Sequence, residues 1–261
     1  MVNSIKLYGA VLATLLLAAC QTNNINFPTG KLSVSDNDAR QSSGLLSLPK
    51  GKGPFPAVVL LHTCGGLKDH VMFDWPNFLN GIGYASFAVD TYSSMGASNC
   101  TQLNRSERRI AQVKDAYGAL DYLAKLPSVD GNRVAVMGFS EGAISIFIEM
   151  IPRNIGKDRG TDFKAAIALY GCRGFTVHDK DSIPFMLIVG EKDNFHLSGC
   201  QRAGQYYPTI NVQVLPDTYH AFDQQTSRGQ SDPAGSIMYY SASAVNKSQQ
   251  LTKEFFSKYV K

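Results

Sequence analysis

No run of basic residues long enough to follow a phosphate backbone occurs in this 261-residue chain, whose 25 lysines and arginines are interspersed with 21 acidic residues for a formal net charge of +4. That pattern is a solvated surface, and it excludes nucleic acid as a partner. A membrane-spanning run is also lacking. The apolar stretch within MVNSIKLYGAVLATLLLAAC covers about a dozen residues, short of what a ~30 Å hydrocarbon core requires of a helix. There is no internal repeat, no cluster of metal-ligating residues and no phosphate-cradling glycine loop, so no cofactor is implied. What is present is a chain that is 44% hydrophobic, enough for a large core in one domain.

The first twenty residues have a positive amino end with Lys6, the short apolar run, then small residues before Cys20. This is the layout of a secretory signal peptide over residues 1–19. Leu17, Ala18, Ala19 and Cys20 match the bacterial lipobox, after which Cys20 is lipidated and becomes the amino terminus. Gln21 occupies the place where Asp would retain an enteric lipoprotein in the inner membrane. The expectation is a lipid anchor in the outer membrane, facing the periplasm, with several acyl chains at about 0.8 kcal/mol per buried CH₂ holding it there. Residues 20–32, containing QTNNINFPTG, read as a polar tether, and residues 33–261 as the domain. Four cysteines remain, Cys64, Cys100, Cys172 and Cys200. An even number in an exported chain suggests two disulfides, and the sequence alone leaves three pairings open.

Apolar runs suited to buried strands recur at 57–61, 84–89, 133–139, 164–170, 185–189 and 211–215. Between them, Ile110, Val113, Tyr117, Leu120 and Ala124 fall on one helical face that Pro127 closes; Ala143, Phe147 and Ile151 repeat every four residues until Pro152. Leu251, Phe255 and Tyr259 mark a last amphipathic helix. This alternation predicts a doubly wound α/β domain, a mostly parallel sheet with helices on both faces. KLSV and GLLSLP are expected to add antiparallel edge strands. In such sheets ligands sit beyond the carboxyl ends of the strands, so the residues just past each strand carry the chemistry.

Past 133–139 comes GFSEG, with Ser140 on a strand-to-helix turn between Gly138 and Gly142. The same glycines would suit a plain bend, so a nucleophile assignment needs partners elsewhere. A serine hydroxyl becomes reactive only when a base takes its proton, and that base must be oriented by an acceptor. Asp193 follows FMLIV in GEKDN, and His220 follows NVQVL in DTYHAFD. The order Ser140, Asp193, His220 is the nucleophile, acid, base order of α/β-hydrolases. His62 is expected to be structural or to orient the neighbouring loop, His70 to lie on a helix surface and His178 to be solvated. His196, three residues from Asp193, is poorly placed to take its hydrogen bond. The loop HTCGG is expected to supply one oxyanion donor, the amide of Cys64, with that of Thr63 as the alternative in the same loop, and the elbow a second, the amide of Glu141, whose side chain reads as a solvated carboxylate.

The pieces PAVVLLHTCGGL, DAYGALDYLAKLPSVDGNRVAVMGFSEG, LIVGEKDNF and LPDTYHAFD resemble the dienelactone hydrolase family of the α/β-hydrolase fold over most of residues 40–261. The resemblance implies a nucleophile at 140, an acid at 193 and a base at 220. Dienelactone-opening members carry cysteine at the nucleophile and glutamate after the oxyanion-loop histidine; here these are Ser140 and Thr63, which favours a serine carboxylesterase. Placed on that fold, Cys64 and Cys100 follow neighbouring strands, and Cys172 and Cys200 lie beyond another neighbouring pair, so bridges 64–100 and 172–200 are expected. Only fourteen residues separate Tyr170 from Phe185, leaving no room for a large cap. An open site suits a small-molecule, short-acyl or polymer-borne ester. Phe139, Trp75, Tyr92 and Arg173 lie near the expected mouth, as pocket lining or as packing. Two rival readings, a serine peptidase of the same fold and a non-catalytic envelope-binding lipoprotein, would be favoured by amide turnover and by a broken triad respectively. Oligomeric state is not readable from the sequence.

Overall fold

The computed structural model describes residues 23–33, 36, 40–153, 159, 161–174, 176, 178, 182–233 and 235–261. The leader, Cys20 and Val34 lie outside them. Eight strands form one sheet in the order β1-β2-β4-β3-β5-β6-β7-β8: β1 (Asn23–Pro28), β2 (Gln41–Ser47), β3 (Phe55–Leu61), β4 (Ala85–Val89), β5 (Val129–Phe139), β6 (Ala166–Leu169), β7 (Phe185–Gly190) and β8 (Asn211–Leu215). β1 and β2 pair antiparallel at one edge, and the pairings from β4 to β8 are parallel. The central strands β3, β4, β6 and β7 are almost wholly buried, as uninterrupted apolar runs covered on both faces must be.

The helices are α1 (Trp75–Gly81), entered through a π-turn at His70–Asp74, α2 (Thr91–Ser94), α3 (Arg105–Leu123), α4 (Glu141–Ser145), which continues through a π-turn at Ile146–Met150 into α5 (Ile151–Arg153), α6 (Leu197–Tyr206) and α7 (Ala242–Tyr259). Val113, Tyr117 and Leu120 of α3, Ala143 of α4, Phe147 and Ile151 beyond it, and Cys200 and Ala203 of α6 pack on one face of the sheet. Trp75 and Leu79 of α1, with Phe255 and Phe256 of α7, cover the other. Asn104 starts α3 by accepting the amides of Ser106 and Glu107, the N-cap that its short polar side chain favours.

Two expectations are corrected. Residues 23–28, read as tether, are the edge strand β1, and Phe27 is buried against Phe87; one inward aromatic and a complete antiparallel ladder outweigh the polar composition of NNINFP. Described residues of KLSV form a bend instead of a strand. The connection from β6 to β7 is short, as expected, and carries no cap domain. A small hairpin between β8 and α7 was not anticipated: β9 (Arg228–Ser231) and β10 (Ile237–Tyr239) pair antiparallel, and His220 donates its amide to Ile237 O at 3.3 Å.

Candidate active site

The carboxyl ends of β3, β5, β7 and β8 converge on one point. Ser140 stands at the turn from β5 into α4 with φ 50° and ψ −107°, a conformation that costs a non-glycine residue about 1–3 kcal/mol. The elbow holds because its neighbours fit only as glycines. A Cβ on Gly138 would meet the Gly142 carbonyl carbon at 2.5 Å, and one on Gly142 would meet Leu61 O at 2.4 Å. Ser140 donates its amide to Leu169 O, and Gly142 donates to His62 O, so the elbow is tied to strands on both sides.

Ser140 Oγ lies 3.0 Å from His220 Nε2, and His220 Nδ1 lies 2.8 Å from Asp193 Oδ2. The other oxygen, Asp193 Oδ1, accepts the amides of Phe195 and His196 at 3.2 Å each. Burial pushes the Asp193 carboxyl up, but the hydrogen bond and charge of His220, with the nearby His196 and the Phe195 amide, outweigh it and hold the group below its ordinary value. An ionised Asp193 fixes the histidine with a proton on Nδ1 and leaves Nε2 to accept from serine. All three residues are buried. The relay is sheltered from water yet opens on a cleft at Ser140.

The same cleft is lined by Cys64 and Glu141, whose amides the sequence assigns to an oxyanion hole. Among the described residues, no hydrogen bond uses the Cys64 amide. The Cys64 carbonyl accepts from the Cys100 amide at 2.8 Å, and a disulfide joins the two residues. A second disulfide joins Cys172 to Cys200. The loop is further held by His62: its Nδ1 donates to Thr63 O at 2.8 Å, and Gln112 Nε2 of α3 donates to His62 O. Full burial lowers the titration of His62, which keeps it a neutral structural group.

Several side chains sit elsewhere than expected. Glu141 is buried, not solvated: its Oε1 accepts from Arg108 Nε at 2.9 Å and from Arg109 Nε at 2.7 Å. The partners lie more than thirty residues away, so local spacing gave no sign of them. His70, the first residue of the π-turn, is buried with its edge against Phe139. His178 is buried too, bonded to Thr209 Oγ1 and Ile183 O. Phe139, Trp75 and Tyr92 are packing residues, each at most 1% exposed, whereas Arg173 does line the cleft. His196 stacks on His220 with centroids 5.0 Å apart; burial, then the charge of His220, lowers its titration to about 4.

Two functional neighbours escaped sequence reasoning. Asp223, three residues past His220, accepts from Trp75 Nε1 at 2.8 Å and Tyr170 Oη at 2.7 Å. It anchors the histidine loop, and those bonds take it away from the imidazole. The motif DTYHAFD carried that signal, since a second acid beside the base needs its own partners. Asp232, from the hairpin, places Oδ2 3.7 Å from His220 Nε2. Its strand RGQS has no hydrophobic pattern to reveal it. Among the described residues, Asp193, His196 and His220 form one group whose ligand atoms lie within 4.8 Å of one another. Asp193 and His220 already bond each other and the two rings stack, a geometry of proton relay and not of donors converging on an ion.

Comparison with known proteins agrees with this architecture. The model of the dienelactone hydrolase family matches residues 43–260. Esterase FrsA of Klebsiella pneumoniae is 36% identical over 105 residues, 39% of this chain and 23% of that protein; the aligned part is thus about a quarter of the relative's length. Among solved structures, the dienelactone hydrolase-like promiscuous phosphotriesterase P91 from metagenomic libraries has a TM-score of 0.67 at 20% identity, covering 92% of this chain and 99% of that one. Est1E from Butyrivibrio proteoclasticus has a TM-score of 0.58 at 14% identity, covering 89% and 98%.

Proposed function

Because the chain belongs to the dienelactone hydrolase family and is a hydrolase of the α/β fold, we propose that it cleaves carboxylic esters through an acyl-enzyme on Ser140. The observation that carries this reading is the continuous relay from Ser140 Oγ through His220 to Asp193 at 3.0 and 2.8 Å. In acylation, Ser140 Oγ attacks the ester carbonyl and its proton passes to His220 Nε2. The carbonyl oxygen becomes an oxyanion facing the amides of Cys64 and Glu141, and collapse expels the alcohol, which takes the proton from Nε2. Water then repeats the sequence on the acyl-enzyme, with His220 as base. Oxygen at the nucleophile requires this base, where a thiol is intrinsically more nucleophilic. The esterase name of the FrsA relative supports the ester over the amide. The site has no large cap, which suits short or exposed esters.

Export and lipid attachment at Cys20 belong to the same reading, supported by the leader's composition and by two disulfides of the kind that persist outside the cytoplasm. The enzyme would then face the periplasm from the outer membrane.

The test is a chain-length panel of nitrophenyl esters assayed beside Ser140→Ala, with a fluorophosphonate to label the nucleophile. Short esters are expected to turn over, and the label to map to Ser140. Wild-type turnover in Ser140→Ala would overturn the assignment. For the anchor, Cys20→Ser is expected to move the protein from the membrane fraction to the soluble one.

A further inference from the structure

Resting on the esterase reading, we infer that this site selects esters with an acidic acyl part and a small alcohol part. The observation is a cleft with two unlike arms meeting at Ser140. One arm, about 520 Å³, is walled by Leu103 and Ile144 together with Arg105, Arg108, Arg109 and Arg173. The other, about 170 Å³, is walled by His220, Ala221, Gln224 and Met238, with Lys68 at its rim.

Chemistry assigns the arms. The leaving oxygen must receive the proton from His220 Nε2, so the alcohol occupies the arm that His220 lines. The acyl chain then extends the other way, past the elbow and Glu141, into the larger arm. Among the described residues, its four guanidinium groups meet two carboxylates, Glu141 and Asp232, which leaves a surplus of two positive charges. Glu141 binds Arg108 and Arg109 through their Nε atoms and holds both at the cleft. Arg173, over the Phe195 ring at 5.6 Å, and Arg105, which starts the helix that carries Arg108 and Arg109, are exposed. Guanidinium forks match the two oxygens of a carboxylate, and Leu103 and Ile144 suit the methylenes before it. The small arm has the exposed ammonium of Lys68 opposed by the carboxylate of Asp232, which lines both arms, and room for few atoms. A neutral acyl chain would leave the cationic wall without a counter-ion.

The experiment compares kcat/KM per ester bond by pH-stat for monomethyl esters of succinic, glutaric, adipic and suberic acids with the dimethyl esters of the same diacids, in which a neutral methyl ester replaces the carboxylate. The expected result is a preference of tenfold or more for at least one monoester. That ratio should fall at 0.5 M NaCl and collapse toward one in Arg105→Gln/Arg173→Gln. The ratio is internal to each preparation, so a partly folded variant does not mimic the effect, and the salt series needs no variant. The acetate ester of 4-hydroxybutyrate, with its charge on the alcohol, should be a poorer substrate than monomethyl glutarate; the reverse order would overturn the assignment of the arms. Equal hydrolysis of charged and neutral esters would overturn the inference and leave the esterase standing. Failure to cleave any ester would overturn both.

Discussion

Asp232 Oδ2 lies 3.7 Å from His220 Nε2, the same nitrogen that faces the Ser140 hydroxyl. A second carboxylate therefore stands on the side of the imidazole opposite to Asp193. It is held there by a reciprocal tie, Ser236 N to Asp232 Oδ1 at 2.7 Å and Asp232 N to Ser236 O at 2.9 Å. Its field favours the imidazolium that forms as serine attacks. Asp232→Asn keeps the shape and removes the charge. The expected effect is a loss of about tenfold, chiefly in kcat, roughly the 1–2 kcal/mol of a partly screened charge pair. Steady-state kinetics on one good ester check it; a loss confined to KM would assign Asp232 to binding instead.

Asp193 gives a pH prediction with a definite sign. Its carboxyl titrates below its ordinary 3.8 in the folded protein, so the unfolded chain binds the proton more readily. The stabilisation is fully present above the unfolded value and is lost as pH falls through the lower folded value. Comparing unfolding free energies of wild type and Asp193→Asn from pH 7 to pH 2.5, the gap should be constant down to about pH 5 and shrink below pH 4. A gap that instead widened on acidification would mean that burial dominates and the sign is wrong. At neutral pH the same variant should lose roughly a thousandfold or more in kcat, since an amide no longer fixes the histidine tautomer.

The relay was legible in sequence for a physical reason. Strands buried on both faces are uninterrupted apolar runs, so β3 and β7 stood out, and a parallel sheet delivers the residue after each strand to one edge. Ser140, Asp193 and His220 inherit their convergence from that rule. What stayed hidden had no such pattern. Arg108 and Arg109 sit on a polar helix start, and only the packing of α3 beside α4 brings them to Glu141. β1 hides a single buried Phe27 among asparagines, and the hairpin that delivers Asp232 has one polar strand, RGQS, and one of only three residues, IMY, ordered by backbone bonds to the His220 loop. His70 and His178 were misplaced because burial of a histidine depends on partners that sequence does not rank.

The Cys64–Cys100 bridge ties the oxyanion loop to the segment before α3 across 36 residues. Closing a loop of that length contributes about 3–4 kcal/mol on the chain-entropy model. Cys100→Ala together with Cys64→Ala should lower stability by about that amount and lower kcat more than it raises KM, because the donor serves the oxyanion more than the ground state. Denaturant unfolding and kinetics read the two effects separately. The Cys172–Cys200 pair, which joins the end of β6 to α6, should cost similar stability and less kcat. Equal losses of kcat from both pairs would mean that the first bridge acts only through global stability.

Glu141 decides whether the elbow is held by its charge. The residue donates its backbone to the proposed hole while its carboxylate lies between two guanidinium groups, with side-chain exposures of 7% for Glu141, 10% for Arg108 and 12% for Arg109. Removing one partner of so buried a cluster leaves like charges facing each other, a cost of about 3–5 kcal/mol. Glu141→Gln is therefore expected to destabilise far more than a surface substitution, although it keeps a hydrogen-bonding oxygen. Returning the cluster to its original net charge of +1 by adding Arg109→Gln should restore at least half of the loss, measured by urea unfolding of the single and double variants. If the double variant is no more stable than the single one, the carboxylate matters through its hydrogen-bond geometry and not its charge.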